Sequence, residues 1–117
     1  MTAKAPAPAG VDDRRFFAVM ATDRPDSLAL REKLRPAHRV WLREHPPHAV
    51  SVVQGGPTLD AGGSMNGTLL IVEAASLREV HDFVAADPYS TAGLFAQVLI
   101  RPWQWSLGRL PVPPPQA

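Results

Sequence analysis

Along the 117-residue chain, apolar positions alternate, then recur every three to four residues, then alternate again, and these changes of period mark out the elements. Residues 15–22 (RFFAVMAT) are apolar on both faces, with Phe16, Ala18 and Met20 set against Phe17, Val19 and Ala21. That pattern predicts a strand covered on two sides. From 25 to about 44 the period becomes helical, with Leu30, Leu34, Ala37 and Trp41 on one stripe. Asp23-Arg24-Pro25 reads as the start signal, with proline in the first turn. Pro36 lacks a backbone donor and crowds the preceding turn, so a kink or two abutting helical pieces are expected there.

Pro46-Pro47 stops this helix, and 48–55 (HAVSVVQG) reads as a second strand before the Gly55-Gly56-Pro57 break. Residues 58–67 read as a Gly/Ser/Asn loop, and 68–74 (TLLIVEA) as a third strand antiparallel to the second. Ser76-Leu77-Arg78-Glu79 has the form of a capping box, opening a helix with Leu77, Val80 and Val84 on one face. Asp87-Pro88 ends it, and Asp87 is expected to cap a short turn over 88–93. Residues 94–106 (LFAQVLIRPWQWS) form a long last strand, expected to bend or bulge at Pro102.

The order β-α-β-β-α-β is the α+β ferredoxin-like arrangement, two helices on one face of a four-stranded antiparallel sheet. The doubly apolar first strand, with Phe95, Leu99, Trp103 and Trp105 on the last, requires that the other face be covered too. A homodimer packing sheet face on sheet face is the simplest cover, because a bare apolar sheet exceeds the patch a monomer tolerates.

Composition narrows the partners. The chain is 45% hydrophobic and 20% charged, enough for one ordinary core. Prolines crowd the ends, Pro6 and Pro8 at one and Pro111, Pro113, Pro114 and Pro115 at the other. The reading is therefore a Pro/Ala leader over 1–13, a folded body over 14–108 and a Pro-rich tail over 109–117. A formal charge of +1 argues against nucleic acid, and the third strand lacks the aromatics and basic residues of an RNA-reading sheet. With no secretory or membrane-spanning run, no membrane partner and a cytoplasmic location are expected.

With no cysteine there is no thiolate nucleophile or thiolate metal site. The four histidines form no HxH or HExxH spacing, so no metal or other cofactor is expected. His45 and His48 flank the proline pair, where contact with a helix C-terminus is the ordinary role, and His81 falls off its helix's apolar stripe. His38 differs, sitting one turn from Leu34 and Trp41 just after Pro36. It is either a satisfied structural histidine or a general acid/base, since an imidazole titrates at about 6.5. Asp87 is either the cap of a short turn or the carboxylate that orients that imidazole. Arg35 offers paired hydrogen bonds to an anionic substrate, against a plain solvated role. Tyr89, the sole tyrosine, either donates to a developing oxyanion or packs its ring.

Taken together, Arg35-Pro36-Ala37-His38, then Gly56-Pro57, then Asp87-Pro88-Tyr89 and the strand to Pro102 make the chain resemble the YCII-related (YciI-like) family over roughly 15–107. That resemblance implies a dimeric α+β barrel and a site pairing His38 with Asp87; beside that pair, Arg35, Tyr89, Gly56 and Pro57 are the candidates for contacting the substrate. The chemistry it implies is a cofactor-independent lyase or isomerase reaction on a small anionic or phenolic compound. The dehydrochlorination of chlorinated hydroxyhydroquinones is the family's characterised example. The alternative is a non-catalytic metabolite-binding dimer. The chain departs from the family where Asn66-Gly67-Thr68 replaces a glycine-serine pair at the entry to the third strand.

Overall fold

The computed structural model describes residues 14–44 and 48–111. His45, Pro46-Pro47, the 1–13 leader and the end of the tail lie outside the described residues. The elements run β1 (Phe16–Asp23), α1 (Leu28–Arg43), β2 (Ser51–Leu59), β3 (Met65–Glu73), α2 (Leu77–Ala86), α3 (Pro88–Thr91) and β4 (Phe95–Trp103). The four strands form one antiparallel sheet in the order β2-β3-β1-β4. This is the ferredoxin-like topology, with β1 and β3 in the centre.

The core lies between the sheet and the helices, where Phe17, Val19, Leu70 and Val72 of the central strands meet Val80 and Phe83 of α2. Trp41 of α1 joins this layer and donates its indole N–H to the Phe83 carbonyl at 3.1 Å. α2 opens at the expected cap: Ser76 Oγ accepts from the Glu79 amide, while the Glu79 carboxylate reaches one residue past the cap and accepts from the Ala75 amide. Its buried face is Val80, Phe83 and Val84, while Leu77 is exposed, so the expected stripe is shifted by the aromatic at 83.

The reading of α1 is corrected first. α1 is one continuous helix with Pro36 inside it, so of the two forms expected at Pro36 the two abutting pieces do not occur. It also starts later, after Ser27, because Pro25 and Asp26 form a turn in which Asp26 takes φ 59°. Asp23 therefore ends β1 instead of signalling a helix. The residues that α1 buries are Arg31 and His38, whereas Ala37 of the expected stripe is exposed. Hydrophobic periodicity overlooks polar groups that are buried because they are paired.

β2 runs through Gly55-Gly56-Pro57 to Leu59, where the residue pattern suggests a break. As an edge strand it tolerates glycine and proline, and its register with β3 shifts twice, near Val52 and near Thr58. The hairpin turn is then short, held by Asp60 accepting from the Gly62 and Ser64 amides. In β4, also an edge strand, Pro102 pairs in register with Phe17, and the irregularity falls instead at Thr22/Asp23. That shift turns Phe95 to the helix side, where its ring meets Tyr89 edge-on at 5.8 Å. Phe95 thus leaves the apolar row on the sheet's outer face.

Leu99 and Trp103 of that row lie on β4, whereas Trp105 falls beyond the strand, which ends at Trp103 rather than running to 106. Met20 of β1 pairs with Leu69 of β3 and Leu99 of β4, and these three side chains are 52%, 41% and 40% exposed. At one end of the same face Trp105 contacts Phe16 edge-on and lies 5.0 Å from Trp103.

Candidate functional site

The site begins where α1 passes the junction of α2 and α3. Pro88 opens α3 and cannot extend α2, so Asp87 between them is extended, and its Oδ1 accepts from the Tyr89 amide at 2.9 Å. The same carboxylate meets His38 of α1: Nδ1 lies 2.9 Å from Oδ1 and 2.8 Å from Oδ2. Both side chains are buried. An ionised carboxylate only accepts, so Nδ1 is the donor in this contact, and in the neutral ring Nε2 is the nitrogen that carries the lone pair. Among the described residues, Nε2 has no hydrogen-bond partner.

Tyr89, the second residue of α3, stacks its ring on His38 with centroids 3.8 Å apart and planes 14° from parallel. The Arg31 guanidinium lies 4.7 Å from the same ring. Arg31 is two turns before His38 on the same helix face. It is held by Asp23, at 2.7 and 3.0 Å, and donates to the Thr68 hydroxyl at 2.7 Å. The Tyr89 hydroxyl is held above its ordinary pKa of 10.0 by burial, an effect that the positive charges of Arg31 and Arg35 partly offset. The phenol therefore stays protonated, and able to donate, through the neutral range.

These groups border a cavity of about 660 Å³ between α1 and the β2–β3 side of the sheet. His38, Tyr89, Arg35, Gly56 and Pro57 all line it. Asp87 does not, and instead holds His38 from behind. Arg35 donates to Met65 Sδ at 3.1 Å. Among the described residues no three His, Asp or Glu side chains converge as a metal site. Among the described residues no helix is long and apolar enough to cross a membrane.

The sequence pattern of the YCII-related domain matches residues 15–104, which takes in every strand of this sheet and every residue of the site. The chain belongs to the YCII-related family. It is 29% identical over 94 residues to Protein YciI of Escherichia coli O6:H1, covering 76% of this chain and 96% of that protein. It is 26% identical, over the same length and coverage, to an uncharacterized protein of Haemophilus influenzae. Among solved structures it is similar to 5-chloro-2-hydroxyhydroquinone dehydrochlorinase (TftG) from Burkholderia phenoliruptrix AC1100, in complex with 2,5-dihydroxybenzoquinone. The TM-score is 0.70 at 38% identity, covering 78% of this chain and 95% of that one.

Of the other histidines, His48 bonds the Trp41 carbonyl in the last turn of α1 at 2.8 Å and lies half-buried, and His81 is exposed. Reading the sequence missed Arg31, Asp23 and Thr68, since no spacing announces a pair joined across a strand end and a helix. It also missed Arg39 and Arg43, which line the cavity. Their signal was present, because Arg31, Arg35, Arg39 and Arg43 recur every four residues, the spacing of one helix face.

Proposed function

We propose that this chain is a cofactor-independent small-molecule enzyme that moves a proton with His38 and Asp87, catalysing an elimination or isomerisation of a small anionic or phenolic ring compound. The observation that carries this reading is the contact of Asp87 with His38 Nδ1, which leaves the other ring nitrogen to a ligand in a cavity rich in arginine. Nε2 takes a proton from a hydroxyl or carbon of the ring, and Asp87 stabilises the imidazolium that forms. In an elimination the electron pair left behind expels a leaving group such as chloride. In an isomerisation it shifts a double bond, and Nε2 returns the proton to a second atom. Arg35 and the protonated Tyr89 hydroxyl are assigned to the oxyanion that develops on the ring. Gly56 and Pro57 supply a wall without long side chains. The likeness to a dehydrochlorinase bound to a quinone supports a ring-shaped ligand.

The reading includes a homodimer. The exposed row of Leu69, Met20 and Leu99 supports a second copy as the cover of the sheet's outer face.

The test is chloride release from 5-chloro-2-hydroxyhydroquinone by the wild type and by His38→Ala. Wild-type turnover that falls about 10²–10⁴-fold in the variant, with little change in melting temperature, is the expected result. Turnover that survives the substitution removes the dyad. A ring compound that binds tightly and returns chemically unchanged makes this a metabolite-binding module instead.

A further inference from the structure

The arginine spacing along α1 carries an inference about the ligand, resting on the reading of His38 as the place where a ring binds. Arg31, Arg35, Arg39 and Arg43 all line the one cavity, at a rise of about 6 Å from each to the next. Like charges four residues apart on a helix repel each other, so this row is unfavourable unless something negative faces it. Arg31 has its own partner in Asp23. The other three have no acidic partner among the described residues, and no residue lining the cavity is acidic.

The cavity is also larger than a ring requires. A space of roughly 150 Å³ already admits benzene, and this one is about 660 Å³. Beyond His38 the lining continues with Leu42, Val50 and Val52, and Arg39 and Arg43 stand exposed on the same side. The cavity thus joins apolar lining to two cations that have no acidic partner among the described residues, Arg39 next to His38 in the chain and Arg43 about 7–8 Å further along the helix axis than His38.

We infer that the ligand carries a second anionic group, a carboxylate or phosphate on a short tail, seated on Arg39 and Arg43 while its ring lies against His38 and Tyr89. Guanidinium groups bind either oxyanion through paired hydrogen bonds. The tail makes this end of the cavity a specificity device: it selects acids with a side chain over bare phenols of the same ring.

The experiment measures binding of three probes by calorimetry: 4-propylcatechol, 3-(3,4-dihydroxyphenyl)propanoate and 3-(3,4-dihydroxyphenyl)propyl phosphate. The expected result is that one or both anionic probes bind about tenfold or more tighter than 4-propylcatechol, the advantage of a hydrogen bond to a charged group. The tighter of the two names the oxyanion. In the Arg39→Gln/Arg43→Gln protein the ratio between anionic and neutral probes should collapse towards one. Three probes that bind alike, or a ratio that survives the double substitution, overturn the second anion site and leave the ring site standing. Binding of none of them to the wild type overturns both.

Discussion

His38 and Asp87 stand 49 residues apart in the chain, and the imidazole Nδ1 lies within 2.9 Å of both carboxylate oxygens. One of those oxygens also accepts the Tyr89 amide and so caps α3. The two readings of Asp87, helix cap and ring orienter, are therefore not alternatives. A carboxylate has about four lone-pair sites, and here one oxygen serves both partners. The turn that Pro88 forces on the chain holds the carboxylate at the angle that meets α1.

Asp87→Asn separates these roles, because asparagine retains a cap oxygen but loses the charge. We expect turnover to fall by about 10²–10⁴-fold with only a small drop in stability. Asp87→Ala should add the loss of the cap, about 1 kcal/mol. Turnover and urea denaturation of both variants check this, and an active Asp87→Asn enzyme would remove the carboxylate from the mechanism.

Arg31 and Asp23 form a pair with both side chains buried, and breaking it from one side strands a charge. Arg31→Met should cost about 3–5 kcal/mol, and Asp23→Leu added to it should recover much of that. Urea unfolding decides. A single variant within about 1 kcal/mol of wild type would contradict the burial argument.

Tyr89 is the sole tyrosine, so the ultraviolet absorbance of tyrosinate reports it alone. Its pKa in the folded protein lies above the ordinary 10.0, meaning the folded state binds this proton more tightly than the unfolded chain. The resulting stabilisation is complete below pH 10.0 and is lost as the pH rises through the higher, folded value. Tyr89→Phe should remove that alkaline loss. A tyrosinate midpoint at or below the ordinary value would reverse the sign.

A Cβ at Gly67 would collide with the Ala21 carbonyl and come within 2.5 Å of the Thr58 hydroxyl, whereas one at Gly56 would meet nothing within 4 Å. Gly67→Ala should therefore destabilise the sheet by about 1–3 kcal/mol. Gly56→Ala should leave stability within about 0.5 kcal/mol. Thermal denaturation of the two variants side by side checks the contrast.

Met20, in the middle of the exposed apolar row, tests the proposed dimer. Light scattering of Met20→Lys should give half the mass of the wild type. A wild type that is already monomeric, or a variant of unchanged mass, would remove this face as the interface.

The sequence alone determined the order of elements, because β1, β3 and α2 are long enough for their apolar period to be read against the pleat or the helical turn. It determined the ends of α2 and α3 as well, since Ser76 and Asp87 cap through bonds to amides only two or three residues away. It named His38, Arg35, Tyr89, Gly56 and Pro57, all of which line one cavity. Tertiary structure decided the rest, and for one physical reason. Burial of a polar group depends on a partner that lies across the fold, so Arg31 and His38 become the buried residues of α1 only because Asp23 and Asp87 arrive from other elements. Edge position is likewise a property of the assembled sheet. It let β2 run through Gly55-Gly56-Pro57 and β4 carry Pro102, where the sequence alone suggests a break and a bulge.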